Sequence, residues 1–242
     1  MPLTDEERTT YSRQLALFGD EGQGRLKRGR VTIVGAGGLG TVSALYLAAA
    51  GMGTITVIDD DVIEARNLNR QIAYRASDRG RNKAAVLAER LRQLNPHITV
   101  TAVVDRISAA SVKALITETD AIVDAVDDFS VRMCLNAHAV ARSYPLFHGA
   151  VSAFYGQATT IIPGETPCLA CIFPETPPSD ETAVIGPTCG LIGSLQANDV
   201  IKFIIGNGDL IANRLAVWDG RTGDLDMMPV EKNPYCPVCG DG

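Results

Sequence analysis

Hydrophobic positions in this chain fall in short β-branched runs that alternate with longer amphipathic stretches. The runs read RVTIVG, TITVID, ITVTAV, DAIVDAV and PLFHGAV, all within the first 151 residues. Between the second and third runs, NKAAVLAERLRQLN places Leu87, Leu91 and Leu94 on one helical face before Pro96 stops the helix. Strands and helices that alternate in this way form parallel sheets through right-handed crossovers. The pattern predicts an α/β, Rossmann-like fold with a mainly parallel sheet and helices on both faces.

Both ends of the chain depart from this alternation. Thr4 and Glu7 have the spacing of a capping box, so TDEERTTYSRQLALFG predicts an opening helix that ends at Gly19. From about Phe154, the segment SAFYGQATTIIPG predicts a strand, and ETPCLACIFPETPPSDETAVIGP predicts a loop too long for a simple connection. A helix, GLIGSLQANDVIKFI, and two strands, RLAVWDG and LDMMPV, follow. We therefore expect one domain, 1–242, whose sheet is extended by a C-terminal mixed or antiparallel portion.

Composition and charge narrow the class of protein. A chain of 242 residues with 46% hydrophobic content can bury a full core, which excludes disordered and fibrous proteins. The net charge of -6 and pI near 5.1 argue against direct nucleic-acid binding, and the basic run GRLKRGR is interpreted as a solvated helix end. Neither a signal-peptide core nor an uninterrupted apolar span is found. We expect a cytoplasmic protein that does not engage membranes.

The first chemical signal is VTIVGAGGLG, where a strand breaks into Gly35, Gly37, Gly38 and Gly40. This pattern predicts a tight strand-to-helix turn beneath a nucleotide, and on its own it leaves hydride transfer and phosphate chemistry both open. Asp59 follows the second strand, where a carboxylate accepts hydrogen bonds from ribose hydroxyls. That role fits NAD and ATP equally.

The next segment favours a triphosphate over a dinucleotide. One loop and the helix start after it carry cationic and amide side chains that would neutralise β- and γ-phosphates and a pyrophosphate leaving group. These side chains are Asn67, Asn69, Arg70, Gln71, Arg81 and Lys83. Because no G-x-x-x-x-G-K-[ST] occurs, the chain is not a P-loop hydrolase.

Three aspartates surround the end of the fourth predicted strand. One or two of Asp124, Asp127 and Asp128 could bind Mg²⁺, which prefers carboxylate and phosphate oxygens. Asp128 is also placed to cap the helix that begins at Phe129, and we interpret capping as its main role.

Two C-x-x-C pairs, far apart in sequence, suit a closed tetrahedral zinc site. These residues are Cys168, Cys171, Cys236 and Cys239. Such a structural Zn²⁺ would staple the C-terminus to the long loop, and two disulfides are the alternative.

The other two cysteines and the three histidines carry weaker signals. Cys134 is interpreted as a core residue of its helix. Cys189 is placed between the loop and a helix start, where the helix dipole would lower its pKa, so it is a possible nucleophile. The histidines His97, His138 and His148 are dispersed, and we interpret them as loop, helix-surface or strand-end residues rather than catalytic groups.

Taken together, these motifs resemble the ubiquitin-activating-enzyme-like adenylyltransferases that serve molybdopterin and thiamine synthesis. YSRQL, GAGGLG, DDDVIEARNLNRQ, GRNKA, VDAVDD, GSLQANDVIK and the paired C-x-x-C occur in the family's order across nearly the whole chain. The resemblance implies a helical arm (1–29), a nucleotide-binding half (30–150) and an acceptor-binding half (151–242) with a crossover loop.

The resemblance also implies roles for single residues. Asp59 would hold the ribose, Asp127 would bind Mg²⁺ and be essential for catalysis, and Arg13 would reach across a homodimer interface into the neighbouring ATP site. From sequence alone Arg13 is a solvated helix residue. The remaining phosphate contacts would come from Arg70, Gln71 and Lys83. Two departures are Asp128, where the family usually has Asn, and Ser179, near the position of a loop cysteine in many relatives.

The predicted activity is ATP-dependent adenylation of a carboxylate. The carboxylate oxygen attacks the α-phosphorus in line and pyrophosphate leaves, so no general base is required. The favoured acceptor is the C-terminal Gly-Gly of a ubiquitin-like sulfur-carrier protein, threaded past the loop 174–187. The alternatives are a small-molecule cofactor precursor or modified-nucleoside carboxylate, a nicotinamide-dependent oxidoreductase and a non-catalytic nucleotide-binding scaffold.

Overall fold

An eight-stranded sheet carries the fold, in the order β3-β2-β1-β4-β5-β6-β7-β8. The computed structural model describes residues 2–175 and 183–240. Strands β1 to β5 are parallel, and β5 to β8 pair antiparallel, which confirms the predicted sheet and its antiparallel extension. The strands are β1 (Arg30–Val34), β2 (Thr54–Ile58), β3 (Thr99–Val103), β4 (Ala121–Asp124), β5 (Leu146–Ser152), β6 (Tyr155–Ile161), β7 (Arg214–Asp219) and β8 (Asp224–Pro229).

Helices flank the sheet, and each predicted helix has a counterpart. After the third strand, the segment SAASVKALI forms one short turn of helix. A further short helix begins directly after Cys168, its N-cap, and contains Cys171. The helices are α1 (Asp5–Thr10), α2 (Ser12–Arg28), α3 (Gly38–Ala50), α4 (Lys83–Leu94), α5 (Val112–Leu115), α6 (Phe129–Arg142), α7 (Leu169–Ile172) and α8 (Gly186–Ile205). No helix in the described ranges is both long and apolar enough to cross a membrane.

The N-terminal helix differs from the prediction. The Thr4–Glu7 capping box is present, but the helix breaks at Tyr11 and resumes as α2. Gly19 has non-helical backbone angles, with φ of 65°, so a helical segment does end there as predicted, and a second segment of α2 continues after this kink to Arg28. The reason is that Leu26 is fully buried, so the chain after the kink still has an apolar face to pack.

Two hydrophobic cores cover the two faces of the sheet. Helices α3, α4 and α8 contribute to the first core, and α5, α6 and α7 contribute to the second. In α4, Leu87 and Leu91 are fully buried as predicted, whereas Leu94 is 48% exposed because it lies at the helix end.

The strand order creates a topological switch point at the carboxyl ends of the central strands β1 and β4. After β1, the chain moves outward through β2 and β3, then returns to place β4 on the other side of β1. The carboxyl ends of β1 and β4 are therefore neighbours with diverging connections, and ligands of doubly wound sheets bind at such a point. Gly35 and Ala125 begin the two connections.

Candidate active site

The glycine-rich turn after β1 is packed too closely for side chains. Gly35 has φ of 95°, and a Cβ there would lie 2.5 Å from the carbonyl oxygen of Ala125. A Cβ on Gly40 would lie 1.8 Å from the carbonyl oxygen of Gly35. Gly37 caps α3 without a side-chain hydrogen bond, so the first N–H groups of α3 are directed at the switch point as a potential phosphate site.

Asp59 is tied to this turn. The N–H of Ala36 donates to Asp59 Oδ2 at 2.6 Å, and the N–H of Asp61 donates to Oδ1 at 2.9 Å. Burial raises the pKa of the Asp59 carboxyl, against the opposing effects of these N–H groups and of Lys83. The carboxylate is therefore held at a fixed position beside the turn, and its remaining lone pairs can accept ribose hydroxyls.

Lys83 is a buried cation at the start of α4. It is 6% exposed, and its Nζ lies 2.7 Å from Oδ2 of Asp61. The hydroxyl of Tyr74 donates to the carbonyl oxygen of Ala36 at 2.8 Å and also lies 3.2 Å from that of Lys83. This contact joins the glycine-rich turn to the helix start that carries Lys83.

The polar loop 67–71 contains residues with different roles. Asn67 is buried, and its Oδ1 accepts the N–H of Glu64, so it shapes the loop. Gln71 is 3% exposed, its Oε1 has no hydrogen-bond partner among the described residues, and its Nε2 lies beside Gly37. The buried Oε1 requires a hydrogen-bond donor, and the Nε2 group beside Gly37 is the end of the amide that can donate to a phosphate.

Two cations and an amide of the predicted phosphate-binding set lie further out. Arg70 is half-buried, and its guanidinium donates to Oδ1 of the exposed Asn69 at 3.1 Å. Arg81 pairs with Glu89 at 2.5 Å and with Asp78 at 3.4 Å. The expectation that Arg81 points at phosphates is therefore not supported by its contacts.

The three aspartates after β4 are in three different environments. Asp124 is fully buried and binds Arg132 and His148. Asp128 accepts the N–H groups of Ser130 and Val131 and caps α6, which confirms its predicted role. Asp127 is exposed, and within 2–175 and 183–240 its carboxylate has no hydrogen bond or ion pair.

The cluster of Asp124, Arg132 and His148 was missed by sequence reasoning. Asp124 Oδ2 lies 3.0 Å from Arg132 Nε and 2.7 Å from His148 Nδ1, all three side chains being buried. Asp124 is therefore not available as a magnesium ligand. Burial lowers the pKa of His148, while the Arg132 cation holds the pKa of Asp124 down despite its burial. The parallel register of β4 and β5, which pairs Asp124 with His148, was the missing signal.

This cluster supports the loop that carries Asp127. The terminal nitrogen of Arg132 donates to the carbonyl oxygens of Val126 and Gly149. The expectation that His148 lies at a strand end is wrong, because it lies within β5. His138 is buried rather than on a helix surface, and His97 lies in a turn as expected.

Cys189 does not have the environment predicted for it. Helix α8 begins at Gly186, so Cys189 lies inside the helix and is 1% exposed. Burial raises the pKa of its thiol, with Arg70 opposing, so the expected lowering is wrong. Its sulfur packs against Gly38. The structure therefore gives Cys189 a packing role beneath the glycine-rich turn, and Cys134 likewise packs against the core as expected.

Arg13 is not brought together with the other predicted residues of its own chain. It is exposed and has no hydrogen bond or ion pair in the described part of the chain. The neighbouring Gln14 donates to the carbonyl oxygen of Ala50, the last residue of α3. Since α3 has 13 residues and a helix rises about 1.5 Å per residue, Ala50 lies about 18 Å from Gly38 along the helix axis. The part of α2 that carries Arg13 therefore contacts the end of α3 opposite the glycine-rich turn.

The four cysteines of the C-x-x-C pairs converge. Their sulfur atoms all lie within 4.8 Å of one another, with Cys168 to Cys236 at 3.7 Å and Cys171 to Cys239 at 3.4 Å. A tetrahedral Zn²⁺ with bonds of about 2.3 Å requires sulfur separations of about 3.8 Å. These distances fit a closed four-thiolate site and are far longer than the ~2.05 Å of a disulfide. The second C-x-x-C thus closes onto the loop after β6.

The model of the ThiF family matches residues 11–238. The match spans the glycine-rich turn, the polar loop, the aspartates and three of the four clustered cysteines, and it ends one residue before Cys239. The chain belongs to the ThiF family.

Curated relatives have adenylyltransferase names. A SAMP-activating enzyme E1 of Haloferax volcanii is 40% identical, covering 96% of this chain and 88% of that protein. A sulfur carrier protein adenylyltransferase of Thermus thermophilus is 39% identical, with coverage of 100% and 94%. A molybdopterin-synthase adenylyltransferase of Escherichia coli is also 39% identical, with coverage of 98% of both. This member of the ThiF family is an adenylyltransferase, as predicted, rather than an oxidoreductase or a non-catalytic scaffold.

Solved structures show the same architecture. MccB of Escherichia coli, solved with ATP, has a TM-score of 0.85 at 26% identity and covers 96% of this chain and 74% of that one. MccB in complex with N-formylated MccA has a TM-score of 0.89 at 25% identity, with coverage of 97% and 76%. The fold class predicted from sequence is confirmed.

Proposed function

We propose that this ThiF-family enzyme uses ATP to adenylate the C-terminal glycine of a ubiquitin-like sulfur-carrier protein. The observation that carries the proposal is a set of polar groups at the carboxyl ends of β1, β2 and β4. Among the described residues Asp127 is unpaired, Lys83 is buried, and Oε1 of Gln71 beside the glycine-rich turn has no partner. The name of the Thermus thermophilus relative, a sulfur carrier protein adenylyltransferase, supports the acceptor.

Each polar residue at these strand ends then has a role toward the nucleotide. Asp59 would hold the ribose, and the N–H groups of the turn would bind the phosphates with help from Gln71 and the polar loop 67–71. Lys83 would neutralise charge on the pyrophosphate leaving group. Arg70, which is half-buried, and the neighbouring Asn69 would contact the same phosphates.

Asp127 is the residue we assign to Mg²⁺. A hard cation takes carboxylate and phosphate oxygens, and Asp127 is the aspartate of the three whose oxygens are not engaged by other described residues. Bound Mg²⁺ would supply neutralisation of phosphate charge. Asp124 contributes indirectly, since its pair with Arg132 fixes the loop before Asp127.

The acceptor needs no general base. Its carboxylate is already ionised at neutral pH, so it can attack the α-phosphorus in line once it is positioned. The acyl adenylate and pyrophosphate are the products. We assign positioning to the half of the chain after residue 150, including the loop 174–187. Residues 176–182 of that loop, and Ser179 with them, lie outside the described residues.

We also propose a homodimer in which Arg13 completes the ATP site of a second copy. Its exposure, its lack of partners among the described residues and its place on the part of α2 that contacts the end of α3 opposite the glycine-rich turn support an intermolecular role. The six cysteines, all within the described residues, form no disulfides, which supports a cytoplasmic location for the protein. Zn²⁺ at the four cysteines would be structural, because sulfur fills every ligand position.

Pyrophosphate exchange tests the proposal. Exchange of labelled pyrophosphate into ATP is measured with candidate carriers that end in Gly-Gly and with the same carriers lacking the last glycine. We expect Mg²⁺-dependent exchange with the intact carriers only. Exchange driven by small carboxylic acids and not by any carrier would instead support adenylation of a cofactor precursor or a modified nucleoside.

A further inference from the structure

Helix α6 links the proposed nucleotide site to the cluster of four cysteines. The nucleotide site, which we name the nucleotide edge, lies at the carboxyl ends of β1, β2 and β4. Its N-cap, Asp128, follows Asp127, and Arg132 and Asn136 come at successive intervals of four residues. Residues spaced by four lie on one helical face. Arg132 contacts Asp124 beneath the nucleotide edge, whereas Asn136 reaches the segment that carries the first two cysteines.

The two ends of the Asn136 amide differ in their partners. Asn136 is fully buried, and its Oδ1 accepts the N–H of Leu169 at 2.9 Å. Leu169 is the first residue of α7 and directly follows Cys168. The Nδ2 atom has no hydrogen-bond partner among the described residues. Because buried amide donors are almost always satisfied, this N–H requires an acceptor.

The Cys168 sulfur is the candidate acceptor, because Cys168 directly precedes Leu169, whose N–H is held by the other end of the Asn136 amide. A thiol is a weak acceptor, but a metal-bound thiolate carries negative charge and accepts N–H groups more strongly. Groups that donate to metal ligands fix ligand orientation and contribute to metal affinity.

We propose that Asn136 is a positioning residue for the zinc site. Its Nδ2–H donates to the metal-bound sulfur of Cys168 while its Oδ1 holds the N–H of Leu169, so α6 orients the first cysteine pair. This inference rests on the proposal that the four cysteines bind Zn²⁺. It concerns a residue that is not itself a ligand and lies in the other half of the chain.

Two substitutions separate the two hydrogen bonds. Asn136→Asp keeps an acceptor for Leu169 and replaces the donor with an oxygen, and Asn136→Leu removes both. His138→Gln is the matched control, since His138 is also buried on α6, its Nε2 is unpartnered among the described residues, and it packs on Tyr144. Zinc dissociation constants of the full chain are measured by competition with a chromophoric chelator. The thiolate charge-transfer bands of the cobalt(II) forms are recorded alongside.

We expect both Asn136 variants to bind zinc about 10- to 100-fold more weakly, Asn136→Asp the more so because a carboxylate repels the thiolate. Their cobalt bands should shift, and His138→Gln should stay within about twofold of the unsubstituted protein. Wild-type affinity in either Asn136 variant would overturn the role of Asn136. Absence of zinc and cobalt binding by the unsubstituted chain would overturn the metal assignment instead. Melting curves of the zinc-free forms distinguish weaker binding from loss of the fold.

Discussion

The nucleotide edge and the cysteine cluster are built in opposite ways. At the edge, backbone atoms of β1, α3 and β4 make the shape, and the sheet register fixes them without help from a ligand. The cluster joins residues 168–171 to 236–239, segments that no strand pairing holds together. The first site therefore depends on packing, whereas the second depends on the ion that its thiols would bind.

The largest expected effect is at the edge. Asp127→Ala should lower acceptor-dependent pyrophosphate exchange roughly a thousandfold, about 4 kcal/mol, because Mg²⁺ would lose its carboxylate ligand. Asp128→Asn is the control, since Asn also caps a helix and should keep near-normal exchange. Normal exchange by Asp127→Ala would refute the assignment.

A backbone change at the edge should come next. Gly40→Ala should lower the free energy of unfolding by about 3 kcal/mol, since its Cβ would lie 1.8 Å from the carbonyl oxygen of Gly35. Gly190→Ala in α8 has open space around it and should stabilise by about 0.5–1 kcal/mol. Urea titrations compare the two. Equal stability of the two variants would contradict the packing argument.

Removal of zinc tests whether the cysteine cluster depends on its ion. At free zinc one hundred times the dissociation constant, binding contributes about 2.7 kcal/mol, so chelation should lower the Tm by roughly 5–10 °C. ATP affinity, measured by calorimetry, should change by less than about twofold, because the edge does not share these ligands. A parallel loss of ATP binding would show that the two sites form one unit.

The smallest effect is a pH dependence beneath the edge. Because burial lowers the pKa of His148, its neutral form is favoured in the fold, and stability is lost as the pH falls below the unfolded-state value of about 6.5. Asp124, whose pKa is also lowered, loses its contribution only in more acidic solution, below about pH 3.9.

Denaturation at two pH values measures this dependence. Between pH 7.5 and 5.5 the unsubstituted protein should lose about 1 kcal/mol in its free energy of unfolding, and His148→Gln should lose less. An unchanged difference in the variant would exclude His148 as the source.

Sequence periodicity was sufficient for the strands and for most helices. Alternating apolar runs located the first five strands, three further extended segments located the last three, and the C-x-x-C spacing located the cysteine cluster. Periodicity failed at the start of α8. Gly186 and Pro187 were interpreted as loop residues, although proline is well tolerated in the first helical turn. Cys189 was consequently placed outside the helix that buries it.

Other misses arose from contacts between distant segments. Asp124 and His148 are 24 residues apart and meet only through strand register, which single-sequence patterns do not provide. Arg81 was predicted to bind phosphates because it lies in the same cation-rich segment as Arg70 and Lys83, but Glu89 on α4 pairs with it. A cation-rich segment can indicate a binding region, but it does not show which of its side chains point toward the ligand.

The four-residue spacing along α6 limits how the chain can change over evolution. One residue inserted between Arg132 and Asn136 would turn everything after it by about 100° around the helix axis. The amide would then face away from Leu169 while the Asp124 contact stayed in place. We therefore expect homologous chains to vary in the lengths of the loops on either side of α6. Within α6, substitutions should be tolerated, but insertions and deletions should not.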